Sequence, residues 1–458
     1  MTEKRNIYFI GIGGIGMSAL ARYFKHEGWK VAGYDRVWSH LTGELESEGI
    51  PVHYEDNTEL IGDDFRDPLT TIVVYTPAVP AEHSELCWFY ANGFEVSKRS
   101  KMLGLLSQGK YVMAVAGTHG KTTTSTMVAW FNAVGAGEGS AFLGGVSRNL
   151  GTNMVLGKGD RLAVEADEFD RSFLQLHPQA ALITSVDPDH LDIYGDYAKV
   201  KEAFAEFISQ VDPGGVLILN KRVDPSIVAT NVKTYTYSLD DPASDFRAEN
   251  IRLVDGGYYN FDIATPDGTI KDCTLGIPGL INVENCVGAV ALVSAKGFDT
   301  DRLREGIHSF KGVARRFDFR VNTSKAVYMD DYAHHPRELE AMITSVRGMF
   351  PERHLTVVFQ PHLFTRTRDF AGEFSRVLSM ADRVIMLPIY PAREEPIEGV
   401  CSEMILGDIT AEKELMVKDR LAERLAGLDT DIVVTAGAGD IDRLCDNVEN
   451  VIKVKVGQ

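Results

Sequence analysis

Twice in this chain of 458 residues an apolar run ends in a glycine-rich turn and passes directly into a helical pattern. The first passage is FIGIGGIGMS (residues 9–18), with Gly11, Gly13 and Gly16 in GxGxxG spacing; the second is VAGTHGKTTT (115–124). A strand, a tight turn and a helix in that order point the helix's unpaired N–H groups into the turn, at the carboxyl edge of a parallel sheet. Two such passages confine the chain to α/β layers and supply two places for anions.

The rest of the sequence keeps the same punctuation. NIYFIGI, WKVAGYD and TIVVYTP alternate with helical stretches up to about Leu106, which is the rhythm of βαβ units. A second series starts at YVMAVAG and continues through RLAVEAD, AALITSV and GVLILN. Between Thr234 and Gly279 it changes to short β-rich segments with DGG and PDG turns, which predict appended antiparallel strands. After KGVARRFD the pattern resets, and AVYMDDY, HLTVVFQP, DRVIMLP and DIVVTAG alternate with helices to the end. The expected architecture is α/β in three domains: a Rossmann-like domain over 1–106, a P-loop ATPase-like doubly wound sheet with appended antiparallel strands over 107–313, and a Rossmann-like α/β domain over 314–458.

Charge and composition exclude several classes. A formal net charge of −18 argues against a nucleic-acid or anionic-membrane surface, so an anionic ligand must be met by local donors. No apolar run approaches the roughly 20 residues that span a bilayer, and MTEKRNIYFIG lacks a signal-peptide layout, so a cytoplasmic protein is expected. The five cysteines are scattered without CxxC spacing and predict reduced, mostly buried thiols.

In the first turn the glycines allow close backbone approach to a diphosphate, and Asp35, at the end of the next strand, stands where a ribose would be met. This recognises a diphosphate without specifying nicotinamide. The second turn departs from the strict GxxxxGK[ST] pattern, because Val115 stands at its first glycine and the motif shortens to GxxGKT from Gly117. Its chemistry is still complete: Thr118, His119, Gly120 and Thr123 lend the loop, Lys121 reaches phosphates, and the Thr122 hydroxyl can ligate Mg²⁺. Further on, VEADEFDRSF (164–173) and TSVDPDHLDIYG (184–195) end strands, so Glu165, Asp167, Glu168, Asp189 and His190 can converge on a metal-bound triphosphate. An NAD-binding oxidoreductase would use the first turn alone. A non-catalytic ATP switch would use only the second.

GTHGKTTT, EADEFDRSF, DPDHLDIYG, PGLINVENCVGA, GVARRFD, DDYAHHP, FQPHLFTRTRD and GAGDID follow one another in the order found in the Mur ligases of bacterial cell-wall synthesis, and the chain resembles that family over essentially its whole length. The resemblance implies an ATP-dependent ligase with three α/β domains, the last one mobile. It joins L-alanine to the lactyl carboxylate of UDP-N-acetylmuramate, using ATP and Mg²⁺, as a monomer or homodimer. The related recycling ligase, which attaches a whole peptide to the same sugar, is the alternative.

Carried over by motif, the resemblance makes Lys121, Glu165 and His190 catalytic. Lys121 binds the ATP phosphates, Thr122 and Glu165 hold a first Mg²⁺, and His190 belongs to a second metal site. Asn282 and Asn285 approach adenine, while Arg315, Arg316 and Asp331 contact the nucleotide. Gly13, Gly14, Ile15, Gly16 and Asp35 meet UDP, with Thr76, Pro77 and Ala78 nearby. Tyr332, His334 and Arg366 form the amino-acid pocket, Arg366 pairing with a free carboxylate. The family's usual histidine and arginine are replaced by Ile281 and Leu363, and YAKVKEAFAEF offers no equivalent of the carbamylated lysine of other members.

Overall fold

The computed structural model describes residues 5–136, 139–188, 194–229, 231–392 and 394–457. They divide into two compact units, one made of 1–249, 262–273 and 284–310, the other of 250–261, 274–283 and 311–458.

The first unit opens with a five-stranded parallel sheet: β1 (Asn6–Ile10), β2 (Lys30–Tyr34), β3 (Val52–His53), β4 (Thr71–Tyr75) and β5 (Glu95–Lys98), in the order β3-β2-β1-β4-β5. Strand β1 is buried on both faces. Ile7 and Phe9 enter one apolar cluster, Tyr8 and Ile10 the other, as the two-residue repeat of a strand between two layers requires. Helix α1 (Ile15–His26) leaves the first glycine turn with Met17, Leu20, Ala21 and Phe24 inward. Helix α2 (Arg99–Ser107) follows β5 without a turn between them and buries Met102 and Leu103.

The second sheet has ten strands: β6 (Tyr111–Ala116), β7 (Ser140–Phe142), β8 (Met154–Val155), β9 (Arg161–Glu165), β10 (Ala180–Ile183), β11 (Val216–Asn220), β12 (Lys233–Ser238), β13 (Phe246–Val254), β14 (Tyr258–Thr265) and β15 (Gly268–Thr274). Their order is β15-β14-β13-β12-β11-β10-β6-β9-β7-β8. Strand β6 lies between β10 and β9, parallel to both, so helix α3 (Lys121–Ala136) starts between the carboxyl ends of the strands that carry the acidic motifs. The antiparallel part begins later than the sequence suggested. Strand β12 runs parallel to β11, and β13 pairs with β12 in parallel at only two positions, Tyr237 with Phe246 and Ser238 with Arg247. The intervening loop is folded by Asp241 and by Asp245, which accepts the Thr236 N–H at 2.7 Å. Only the connections after β13 are short enough to reverse the chain as hairpins. One apolar cluster runs from β1 and α1 through β6, β9 and β10, so the first two sheets share a core in which Tyr23 meets Phe142 at 5.9 Å.

Helix α4 (Leu280–Ser294) precedes the second unit's own sheet. That sheet contains β16 (Asp318–Asn322), β17 (Val327–Asp331), β18 (Leu355–Phe359), β19 (Arg383–Met386), β20 (Glu412–Leu415) and β21 (Ile432–Ala436), in the order β16-β17-β21-β18-β19-β20. All pairs are parallel except β16 with β17. Helices α5 (Pro336–Met349) and α6 (Phe364–Leu378) follow β17 and β18, and the polar residues at those strand ends form the unit's candidate site. Of the cysteines, Cys273, Cys286 and Cys445 are buried, while Cys87 and Cys401 are exposed.

Candidate functional site

The first glycine turn is organised by its own carboxylate. Asp35 accepts the Gly13 N–H at 2.7 Å, and burial raises its pKa against the opposing pull of the Gly13, Val37 and Arg36 N–H groups. Gly11 has φ +85°, and a Cβ there would lie 2.6 Å from Thr76 Cγ2; at Gly13 it would lie 2.6 Å from Thr42 Cγ2 and 2.8 Å from Asp35 Oδ2. The absence of side chains is thus a packing requirement, and it brings Thr76, with the exposed Pro77 and Ala78, beside the loop. Gly14 caps α1 without a side chain, and no acidic residue occupies the helix's first turn. The N–H groups of Ile15 and Gly16 have no partner within a helix that begins there.

The second turn is built more tightly. Gly117 has φ +137°, and a Cβ there would overlap Thr184 Oγ1 and approach the Ser185 N and Thr184 N at 2.8 and 2.9 Å. A Cβ on Gly120 (φ +78°) would lie 2.9 Å from Asn285 Oδ1. Strand β10's end fastens the loop: Thr118 N–H donates to Ser185 O, His119 N–H to Ser185 Oγ, and Asp187 N–H to Thr118 Oγ1 at 2.8 Å. Ser185 and Thr184 therefore shape the loop, although the sequence marks neither.

Lys121 is fully engaged. Its Nζ donates to Gly117 O at 2.6 Å, to Thr118 O at 3.3 Å and to Glu168 Oε1 at 3.0 Å, with Glu168 Oε2 at ion-pair distance, 2.7 Å. Glu168 is 3% exposed, and its carbonyl accepts the Tyr194 hydroxyl. Burial opposes the charge on Lys121, but Glu168, with Asp167 and Glu165 nearby, outweighs it and holds the lysine above its ordinary pKa. Beside this pair, Glu165 accepts the Thr122 hydroxyl at 2.9 Å and the Gly144 N–H at 2.9 Å. The hydroxyl of Thr124 is buried without a hydrogen-bond partner. Thr122 and Glu165 thus present hard oxygen donors next to a lysine and a bare-backbone cradle, which fits a Mg²⁺-bound phosphate chain. Asp189 and His190 lie outside the described residues. Among the described residues no group of three or more His, Cys, Asp or Glu side chains is arranged to hold a metal.

On α4, Asn282 donates to Pro278 O at 2.7 Å and is buried, as is Asn285; Ile281, between the glycine and the asparagines, is 47% exposed.

In the second unit, Arg315 (φ +63°) donates to Gly437 O at 2.5 Å and lies 3.4 Å from the buried Asp330 carboxylate. Arg315 and Arg316 both cover the Tyr332 ring, at 5.1 and 4.8 Å from its centroid. Asp331 accepts the N–H groups of Phe317 and Ala333 at 2.7 and 2.8 Å, while burial pushes its pKa up to about 6. Next to it His334 contacts Tyr332 O at 2.9 Å and Glu338 Oε2 at 3.3 Å. Burial lowers the His334 pKa, with Glu338 opposing and Arg366 reinforcing the shift. Glu338 also takes the N–H groups of His334 and His335, closing the start of α5 as a capping box.

Arg366 Nη1 is 3.3 Å from His362 Nδ1; His362 stands edge-on to His334 at 5.7 Å and stacks on Tyr390 at 5.9 Å. Leu363, at φ +72°, is in a region that favours glycine, and its N–H donates to Tyr390 O. Tyr332, His334 and Arg366 are therefore joined by Glu338, His362 and Tyr390. The capping-box spacing in HHPRE marks Glu338 in the sequence; no local pattern marks Tyr390.

Residues 6–111 match the Mur ligase family catalytic domain, 115–293 the Mur ligase middle domain, and 315–439 the Mur ligase glutamate ligase domain. A relative from Phocaeicola vulgatus, named UDP-N-acetylmuramate--L-alanine ligase, is 48% identical over 455 residues, covering 98% of this chain and 99% of its own. Among solved structures, the UDP-N-acetylmuramate-alanine ligase of Thermotoga maritima superposes with a TM-score of 0.83 at 24% identity, covering 98% of this chain and 99% of its own. The murein peptide ligase of Psychrobacter arcticus gives 0.70 at 21%, covering 98% of each chain. At these identities the two structures speak for the fold alone.

Proposed function

Because the chain belongs to the Mur ligase family, we propose that it is the ligase that joins L-alanine to the lactyl carboxylate of UDP-N-acetylmuramate, converting ATP to ADP and phosphate in peptidoglycan precursor synthesis. What carries this reading is that the likeness to relatives of that name runs from the first strand through the last sheet, far beyond the nucleotide loops. Segments 1–106, 107–313 and 314–458 are assigned to the UDP-sugar, ATP and the amino acid. No helix among the described residues is long and apolar enough to cross a membrane, and a cytoplasmic place suits the substrates.

A carboxylate repels nucleophiles and has no leaving group, so it must be activated. Transfer of the γ-phosphoryl group from ATP gives an acyl phosphate; the alanine amine then attacks, the C–N bond forms and phosphate departs. Little covalent chemistry falls to the protein, and positioning and charge neutralisation dominate. Lys121 exchanges Glu168 for phosphate oxygens and follows their charge. Thr122 and Glu165 would hold Mg²⁺, with His190 serving a second metal site; the metal supplies charge neutralisation of the phosphate chain. Gly117, Thr118, His119, Gly120 and Thr123 cradle the phosphates. Asn282, Asn285, Arg315, Arg316 and Asp331 serve the rest of the nucleotide. Gly13, Gly14, Ile15, Gly16, Asp35 and the 76–78 turn take the UDP moiety, and Tyr332, His334 and Arg366 take L-alanine.

The test is phosphate release with UDP-N-acetylmuramate, ATP and either L-alanine or L-alanyl-γ-D-glutamyl-diaminopimelate. Release with L-alanine is expected. Release with the tripeptide alone would replace this reading with that of the recycling ligase.

A further inference from the structure

We infer that Arg99 is a binding residue for the UDP diphosphate, delivered to the first glycine turn from the start of α2; this rests on the reading that the turn takes the UDP-sugar. The observation is a cation in a place where the fold alone gives it little. A Cβ added to Gly16 would overlap the Arg99 guanidinium, so that group lies directly on the first turn of α1. This is the positive end of the helix dipole, with bare N–H groups, a glycine cap and no acidic residue in the turn. The third glycine of the motif thus makes room for an arginine side chain.

The nearest carboxylate does little to offset this. Asp167 Oδ2 stands 3.6 Å from Arg99 Nη2, beyond hydrogen-bond reach, whereas the neighbouring Lys98 makes a 2.8 Å pair with Asp170. Nor can the guanidinium's base drift away. Met102 and Leu103 of α2 are in the core, and Gly104 is packed against the Gln175 carbonyl. Across the same turn, the buried Asn153 donates from Nδ2 to Ile15 O at 2.5 Å and to Ser18 Oγ at 3.0 Å, fastening α1 from the other side.

A guanidinium and a helix N-terminus held together repel each other until an anion joins them. A diphosphate does so on both sides, taking N–H groups from the turn and a bidentate pair from Arg99. Arg99 then leaves Asp167, the residue next to the Glu168 that holds Lys121, so the two phosphate turns are one side chain apart.

The test is calorimetric binding of UDP-N-acetylmuramate to the full-length protein without ATP, for the wild type, Arg99→Gln, Arg99→Lys and Gly13→Ala, with uridine and UDP compared by competition. Arg99→Gln should weaken the UDP-sugar and UDP by about tenfold or more, the usual scale for a lost charge-assisted pair. Arg99→Lys should recover part of this, while uridine and a non-hydrolysable ATP analogue bind all Arg99 variants as they bind the wild type. The inference is overturned if Arg99→Gln binds UDP like the wild type while Gly13→Ala does not. It is also overturned if Arg99→Gln weakens uridine and UDP equally, the signature of a merely structural brace. If neither Gly13→Ala nor Arg99→Gln affects UDP, it is the UDP-sugar reading of the turn that fails.

Discussion

The two glycine turns share one backbone device and differ in how they hold charge. The turn at residues 11–16 is set by a carboxylate, Asp35, on the Gly13 N–H, whereas the turn at 117–121 is closed by a lysine bound to two of its own carbonyls and to Glu168. A ligand that is only gripped can be met by fixed backbone donors, with a side-chain cation such as the proposed Arg99 beside them. A phosphoryl group that changes partners needs a cation already in place, kept charged by a carboxylate it can exchange for the substrate. What separates the two turns is therefore the acidic strand end beside each one rather than the glycine spacing.

The contrast breaks most visibly at Lys121. Lys121→Ala should lower turnover by about 10²-fold or more, the scale for losing a preorganised donor, and leave UDP-N-acetylmuramate affinity unchanged by calorimetry. It also strands Glu168, which is 3% exposed, so a loss of roughly 3 kcal/mol in stability is expected as well. Lys121→Ala with Glu168→Gln should restore the melting temperature without restoring phosphate release, which assigns the rate loss to chemistry. Near-normal turnover in the single variant would sink the role given to this turn.

The next effect concerns neither turn and checks that the second unit serves a third ligand. Arg366→Ala should raise the KM for L-alanine about tenfold to a hundredfold, as for a lost charge-assisted hydrogen bond. The KM for the UDP-sugar should not move. If that constant rises instead, the pocket around His334, His362 and Tyr390 has been misassigned.

The smallest effect compares Asp35 with Asp331, two half-buried carboxylates that each cap backbone N–H groups. Burial pushes the Asp331 pKa to about 6, above its unfolded value, so folding takes up a proton there. The ionised form is the penalised one, and stability from this group falls as pH rises from about 4 to 6. Between pH 7 and pH 5 the stability difference between wild type and Asp331→Asn should shift toward the wild type by about 1 kcal/mol in denaturant titrations. A pH-independent difference would show that Asp331 is not strained by burial.

Much of the fold was legible because strands buried on both faces leave continuous apolar runs and glycine turns leave their spacing. The misplaced feature was the start of the antiparallel strands. Turn signals locate chain reversals, but the Lys233–Ser238 strand ends in a loop folded by Asp241 and Asp245, and its parallel pairing with β11 is a long-range choice. The candidate site was legible in the same measure. Thr122 and Glu165 come within hydrogen-bond reach with Lys121 beside them, as do Tyr332 and His334, because strand ends at the carboxyl edge deliver their motifs to one place. Glu168 was already an acidic candidate, but its hold on Lys121, and the parts played by Ser185, His362, Tyr390 and Arg99, needed the structure, since each acts through a neighbour distant in sequence.

The periodicities, the two glycine turns and the order of the family's motifs can be read from the residues alone, because all of them are local in the chain. That Glu168 holds Lys121, that Asp35 sets Gly13 and that Arg99 rests on Gly16 emerges once the chain is folded. The reason is physical: a pattern of glycines states where a backbone can come close to something, while the partner and the sign of the charge are set by strands and helices that fold in from elsewhere.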